Sequence, residues 1–229
     1  MNTKLIISKA NEEKRGLFET EAMTILESCG ISVPDFEFAK SQEEAVAKAV
    51  KVGYPVVMKI VSRDILHKTD YGCVKLNLKN NEEVEKAYFE IMCNAKEKVK
   101  DVRIEGVVIY PFVSKGTEVI IGVTYDEQFG SAIMFGLGGI FVEVLKDVAF
   151  RIIPLSEEDA RSMIKETKGY SLLKGLRGQT PKDIDSIVDV ILKISKLVTY
   201  YPEIREMDLN PVYVYDNGLT VVDARIIVA

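Results

Sequence analysis

Residues 55–78 read PVVMKIVSRDILHKTDYGCVKLNL, and the rest of the chain is organised around them. Val56, Val57, Met58 and Ile60 form one short apolar run, and Cys73, Val74, Leu76 and Leu78 form another. Runs of this length bounded by turn residues predict two strands, here joined by a loop of about a dozen residues. Lys59 lies inside the first run, where an ammonium is costly to bury without an anion beside it. The loop carries Ser62, Arg63, Thr69, Gly72 and His67, the only histidine in the protein. Residues 59–75 hold four basic and two acidic residues in a chain of net charge −5. A local positive excess in an acidic protein points to a phosphate-rich ligand.

A chain of 229 residues is long enough to bury a full core as one large domain or two lobes. A sequence pI near 5.2 argues against non-specific nucleic-acid binding, and no block of like charge forms an interaction tail. Cys29, Cys73 and Cys93 are odd in number and lack CxxC spacing, and a lone histidine leaves no Cys/His zinc site. Free thiols fit a reducing cytosol, so a cytoplasmic location is expected. Leu5-Ile6-Ile7 is too short for a signal peptide, and no segment has the apolar length of a membrane span.

In chain order, periodicity predicts a helix over 9–29 ended by Gly30, a turn at Val33-Pro34 and a short strand from Phe36 to Ala39. Ser41 and Glu44 make a capping box for a helix to Val52. A third helix covers 81–99. Strands follow at 104–112 and 117–125, joined by PFVSKGT, the candidate hinge between lobes. Ser131 to Phe135 and Val148 to Ile153 read as strands, Ser156 starts an acidic-first-turn helix, and Tyr170 to Gly178 is ambiguous. Pro181 opens an amphipathic helix to about Thr199. A hairpin ends the chain, with strands 204–215 and 219–228 around an Asn217-Gly218 turn.

That hairpin carries the first chemical constellation. A two-residue turn at Asn217-Gly218 pairs Asn210 with Arg225 and puts Asp208, Asn210, Asp223 and Arg225 on one face. Asn210 and Asp223 are then diagonal neighbours about 7–8 Å apart, able to share a hard cation such as Mg²⁺. Pro211 signals a bulge that would change the parity of one strand. A solvated Asp–Arg pair is the plainer alternative there; a strand-end lysine reaching water is the alternative for Lys59, disfavoured by its position between Met58 and Ile60. There is no Walker A sequence. Gly136-Leu137-Gly138-Gly139 reads as a phosphate-approaching turn or simply a tight turn. Glu118, opening a strand after the hinge, could bind two ribose hydroxyls or be an edge-strand charge. His67 is a potential phosphoryl nucleophile if its loop covers nucleotide phosphates, and an incidental loop residue otherwise.

Four stretches taken together resemble one family: PVVMKIVSRDILHKTDYGCVKL, PFVSKGTEVIIGVTYD, FGLGGIFVEVLKDVAFRIIPL and EMDLNPVYVYDNGLTVVDARI. They resemble the ATP-grasp subunit of ADP-forming acetyl-CoA (acyl-CoA) synthetases and, more distantly, the nucleotide-binding part of the succinyl-CoA synthetase β subunit. The resemblance implies an α/β (α+β) ATP-grasp fold, two lobes clasping a nucleotide between sheets, here divided at about 1–112 and 113–229. It implies that Lys59, with Ser62 and Arg63, contacts phosphates, and that Tyr110, Pro111 and Val113 line the adenine. Glu118 would bind ribose, with Gly138 and Gly139 also at the nucleotide. Asn210 and Asp223 would hold Mg²⁺, supported by Lys75, Asp208 and Arg225. The distant succinyl-CoA relatives carry Glu where this chain has Tyr110, and their phosphate loop is richer in glycine.

The resemblance further implies an acid–thiol ligase reaction, acyl-CoA + ADP + phosphate ⇌ carboxylate + ATP + CoA. His67 would take a phosphoryl group from a phosphohistidine on a CoA-binding α subunit, in an α2β2 assembly, and pass it to ADP. The region from Gly136 to Lys146 would receive that phosphohistidine. Two other functions fit the same residues: a stand-alone ATP-grasp carboxylate–amine ligase that needs no partner, and a nucleotide-sensing subunit without turnover.

Overall fold

The computed structural model describes residues 2–65, 67–139, 145–176, 178 and 180–229. The chain packs as two compact units, one formed by residues 34–114 and the other by residues 1–33 with 115–229.

In the unit of residues 34–114, four antiparallel strands lie in the order β1-β4-β2-β3. They are β1 (Glu37–Ala39), β2 (Val56–Ser62), β3 (Val74–Leu78) and β4 (Ile104–Pro111). Helices α3 (Gln42–Val52) and α4 (Asn81–Lys98) cover one face. Val84, Ala87, Ile91 and Ala95 recur at helical spacing and are buried on α4, packing in one core with Val56, Met58, Ile60, Val107 and Ile109 of the sheet. Ser41 and Asn80 cap the two helices by accepting the backbone N–H of Glu44 (3.2 Å) and Glu83 (2.9 Å). Each cap is worth about 1 kcal/mol. Only half of the expected capping box at Ser41 forms, because the Glu44 carboxylate accepts from Lys40 N–H (2.8 Å).

The second unit is built on a six-stranded antiparallel sheet. Its strands are β5 (Thr117–Asp126), β6 (Gly130–Leu137), β7 (Val148–Ile152), β8 (Ile204–Val214), β9 (Leu219–Val221) and β10 (Ala224–Val228). The order is β10-β8-β5-β6-β7, with β9 also paired to β8. One face is apolar and buried: Val119, Ile121, Ile133, Phe135, Leu209 and Val212. Helices α5 (Glu157–Glu166), α6 (Tyr170–Leu173) and α7 (Ile184–Tyr200) belong to this unit, α5 and α7 packing on the sheet. Strand alternation leaves Glu118, Gly122, Asp208 and Arg225 on the other face. Among the described residues, no helix is long and apolar enough to cross a membrane.

Three expectations are corrected here. Residues 9–29 are not one helix but parts of two, α1 (Thr3–Glu12) and α2 (Glu19–Ser28). The chain leaves helical geometry at Lys14 (φ 49°), and Leu17 N–H donates to Ile226 O on β10 (3.0 Å), a bond a continuous helix would forbid. That docking also moves the division of the chain. The break at 114/115 falls inside the expected PFVSKGT hinge, but residues 1–33 pack with the C-terminal strands rather than with the 1–112 lobe. Finally, the helix expected from Pro181 starts at Ile184, where Asp183 accepts Ser186 N–H (2.9 Å) as its cap.

Candidate functional site

Within residues 34–114, Met58 and Ile60 point into the helix-covered core, so Lys59 between them faces the opposite side of the sheet. Lys59 is 5% exposed and has Val74 and Val108 as its strand partners. Its Nζ lies 5.1 Å from the centroid of the Tyr110 ring, a cation–π distance, and Tyr110 packs in turn on Phe36 with centroids 5.8 Å apart. The two buried residues are therefore one local assembly: the ring that ends β4 flanks the ammonium of β2. Pro111 closes β4 opposite Val56, Phe112 N–H donates to Pro55 O (2.9 Å), and Val113 is half-buried beyond the strand end.

The loop that follows β2 is stitched to the start of β4. Ser62 Oγ donates to Arg103 O (2.8 Å) and accepts Asp64 N–H (3.1 Å). The Asp64 carboxylate accepts three bonds from Arg103, from backbone N (2.7 Å), Nε (3.2 Å) and a terminal guanidinium nitrogen (2.6 Å). These Arg103 side-chain and backbone bonds hold the Asp64 carboxyl well below the usual range, at about 2. Arg63 Nε reaches Glu105 (3.3 Å). Ser62 and Arg63 thus both make contacts that shape the loop's departure. Ile65 and Cys73 sink into the core, while His67 between them is exposed. Turn bonds Gly72 N–H to Thr69 O (2.9 Å) and Cys73 N–H to Lys68 O (2.8 Å) order the return limb. Asn94 Nδ2 donates to Gly72 O (3.0 Å), and at φ +67° a side chain on Gly72 would press on that amide.

Lys75 does not stand with Lys59. It pairs with Met58, one residue out of phase, so it lies on the helix side, where its ammonium is bonded to Glu90 of α4.

In the second unit, Glu118 and the glycine turn meet, although 20 residues separate Glu118 from Gly138 in sequence. Gly138 N–H donates to Glu118 O (2.8 Å), and a Cβ on Gly138 would lie 2.9 Å from Glu118 Cβ. Gly139 takes φ +61°, a left-handed geometry glycine adopts without penalty. Residues 140–144, within the expected docking region from Gly136 to Lys146, lie outside the described residues.

The hairpin differs from the expected register. Tyr215 N–H donates to Gly218 O (3.0 Å), so Asp216 and Asn217 occupy the turn. Gly218 N–H donates instead to Asp183 Oδ2 (2.7 Å) at the cap of α7. Arg225 consequently pairs with Asp208, not with Asn210. Asn210 N–H donates to Asp223 O (3.2 Å) and Val222 N–H to Pro211 O (3.0 Å), which sets Asn210 directly across from Asp223. The pairs from Leu219 to Val221 and from Ala224 to Ile227 have slipped by two residues, which preserves their faces. Asp208 and Arg225 keep their shared face as a direct pair, while Asn210 and Asp223 are joined through the backbone at the break between β9 and β10. The bulge signalled by Pro211 forms against β5, where the register shifts between Val119 and Ile121.

Burial and the nearby Asp223 carboxylate push the Asp208 carboxyl up, with Arg225 opposing. Two carboxylates and an amide oxygen on one face are a hard-oxygen donor set that suits Mg²⁺, which is satisfied with one or two carboxylates plus water and phosphate. Among the described residues, no group of three or more His, Cys, Asp or Glu side chains offers another metal site. Glu118 lies on the same face. Its partner on β8 is Tyr213, beyond the register shift that separates Val119–Val212 from Ile121–Leu209.

Asp64, Arg103, Asn94 and Asp183 were not anticipated. Asp183 had a signal, an acidic residue just before the first apolar position of a helix. The Asp64–Arg103 tie spans 39 residues and has no local signature.

An ATP-grasp domain model matches residues 8–228. The chain is 50% identical over 222 residues to the acetate–CoA ligase (ADP-forming) I subunit β of Pyrococcus furiosus, covering 97% of this chain and 96% of that one. Its fold superposes with a TM-score of 0.96 on a chain of the acetyl-coenzyme A synthetase 1 of Ca. Korarchaeum cryptofilum, solved with coenzyme A, Ca-AMPCP and HgCl⁺, at 49% identity over 100% of both chains. A second structure of that enzyme, with coenzyme A and Mg-AMPPCP and its phosphohistidine segment pointing towards the nucleotide-binding site, matches with a TM-score of 0.87 at 45% identity over 100% of both chains. Matched over nearly its whole length in sequence and fold, this chain is a member of the ATP-grasp family, and within it of the β subunits of ADP-forming acetate–CoA ligases.

Proposed function

We propose that this chain is the nucleotide-binding subunit of an ADP-forming acyl-CoA synthetase, converting acyl-CoA, ADP and phosphate into carboxylate, ATP and CoA. The observation that carries this reading is Asn210 directly opposite Asp223, on the face that also bears Glu118 against Gly138. Glu118 accepts from ribose hydroxyls, with Gly138 and Gly139 giving the nucleotide close backbone approach. Lys59, flanked by Tyr110, supplies a buried positive charge to the phosphates, with Ser62 and Arg63 at the same strand end. Tyr110, Pro111 and Val113 receive the adenine. Asn210 and Asp223 hold Mg²⁺, with Asp208 and Arg225 beside them. When bound, that ion neutralises phosphate charge.

His67 is the relay. A ring nitrogen lone pair of neutral His67 attacks phosphorus as the N–P bond of the partner's phosphohistidine breaks, and the partner imidazole recovers its lone pair. A β-phosphate oxygen of ADP then forms the new P–O bond as the His67 N–P bond breaks, giving ATP and free imidazole. The partner is a CoA-binding α subunit in an α2β2 assembly. The Korarchaeum enzyme supports this choice over a stand-alone ligase or a silent sensor, since it holds coenzyme A and has a phosphohistidine segment. Free thiols at Cys29, Cys73 and Cys93 fit a cytoplasmic protein.

Labelled phosphate tests the relay. In the assembled complex, His67→Ala is expected to lower ATP formation by at least about 10³-fold while the partner is still phosphorylated from acyl-CoA and phosphate. ATP formation near the wild-type rate in that variant would remove His67 from the pathway.

A further inference from the structure

We propose that Asp64 and Arg103 are positioning residues for phosphoryl transfer, fixing the departure angle of the loop that presents His67. The inference rests on the relay reading given above. Asp64 is three residues before His67, at the point where the chain leaves β2. Its carboxylate takes three hydrogen bonds from one residue, Arg103, including the Arg103 backbone N–H at 2.7 Å. Ser62 Oγ adds a bond to Arg103 O (2.8 Å) and one from Asp64 N–H (3.1 Å), so both backbone groups of Arg103 are used by the loop's first residues.

The β2–β4 ladder itself ends irregularly there. Its register shifts between Val61 and Ser62, and Gly106 on β4 sits so close to β1 that a Cβ would be 2.3 Å from Ala39 O. Regular strand pairing therefore gives out where the loop begins, and the Arg103 fork takes over its role. The Arg103 side chain is 67% exposed. An exposed ion pair adds little stability, so the consequence of this one is geometric: a planar two-pronged donor locks the carboxylate, and with it the backbone, in one orientation. In-line transfer needs such control, because small misplacement of a nucleophile costs orders of magnitude in rate.

The test uses the complete complex, with ADP as the probe of the nucleotide site. Asp64→Ala should lower kcat for ATP formation about tenfold, leave KM for ADP within twofold, and leave the ADP-induced rise in Tm intact. Asp64→Ala/Arg103→Ala should fall no further than the single variant, since both remove one tie. Arg103→Lys keeps the charge but loses the fork, and should show an intermediate loss; it decides the matter should Asp64→Ala fail to fold. Wild-type kcat in Asp64→Ala or in Arg103→Lys overturns the inference, as does a loss expressed in KM for ADP. His67→Ala run in parallel separates the two readings. An active His67→Ala defeats the relay and this inference with it, whereas an inactive His67→Ala beside a fully active Asp64→Ala defeats this inference alone.

Discussion

The loop at 63–73 and the hairpin at 204–228 hold their reactive groups by different means. His67 stands on a segment whose ends are tied by side chains, Asp64 to Arg103 at one foot and Asn94 to Gly72 at the other. Asn210 and Asp223 sit at a short break in a backbone ladder, joined by Asn210 N–H to Asp223 O and flanked by the regular pairs Leu209–Ala224 and Val212–Val221. A side-chain tie can be cut singly, whereas ladder positions shift together. Local opening is easiest where backbone bonding is sparse, so the proposed relay residue sits on the looser support and the proposed cation ligands on the firmer one.

Three measurements sharpen or break this contrast. The largest effect is expected on the hairpin: Asp223→Ala should raise the Mg²⁺ concentration for half-maximal ADP binding about 100-fold, with far-UV circular dichroism unchanged, because the ladder survives loss of one carboxylate. Unaltered Mg²⁺ dependence would place the cation elsewhere. A smaller effect is expected at the loop in acid. The folded-state pKa of Asp64 is depressed to about 2 from an ordinary value of 3.8. Its tie is therefore fully present above the unfolded value and is lost as pH falls through the folded one. NMR titration of the Asp64 carboxyl should show a midpoint near 2, moving towards 3.8 in Arg103→Ala; a midpoint near 3.8 in the parent would mean the fork does not persist in solution. The smallest effect belongs to Lys75→Ala, which removes the half-buried pair with Glu90 on the helix face. Turnover should be unchanged, and chemical denaturation should report a loss under about 1 kcal/mol. A tenfold fall in kcat would restore Lys75 to the site.

Much of the fold was legible because it is written in local pattern. Val84, Ala87, Ile91 and Ala95 at helical spacing, and the alternation along β5, give element type directly. That Asp208 and Arg225 share a face was legible too, since a two-residue slip conserves side-chain parity. The register itself was not. It depends on whether Gly218 N–H closes the turn or goes to Asp183, a residue 35 positions away. The split of residues 9–29 was hidden for the same reason: Leu17 is drawn out by Ile226, more than two hundred residues later. Lys59 was recognisable as a buried charge, but the aromatic ring that flanks it comes from β4 and left no mark nearby. In each case the deciding partner is distant in sequence, and pattern within a window carries no information about it.

The placement of Leu17 against Ile226 also bears on how a growing polypeptide matures. Residues 34–114 are continuous and can acquire their sheet and two helices as soon as they emerge from the ribosome. Residues 1–33 precede that stretch yet pack with a strand some two hundred residues further along, so their docking waits until β10 has been synthesised.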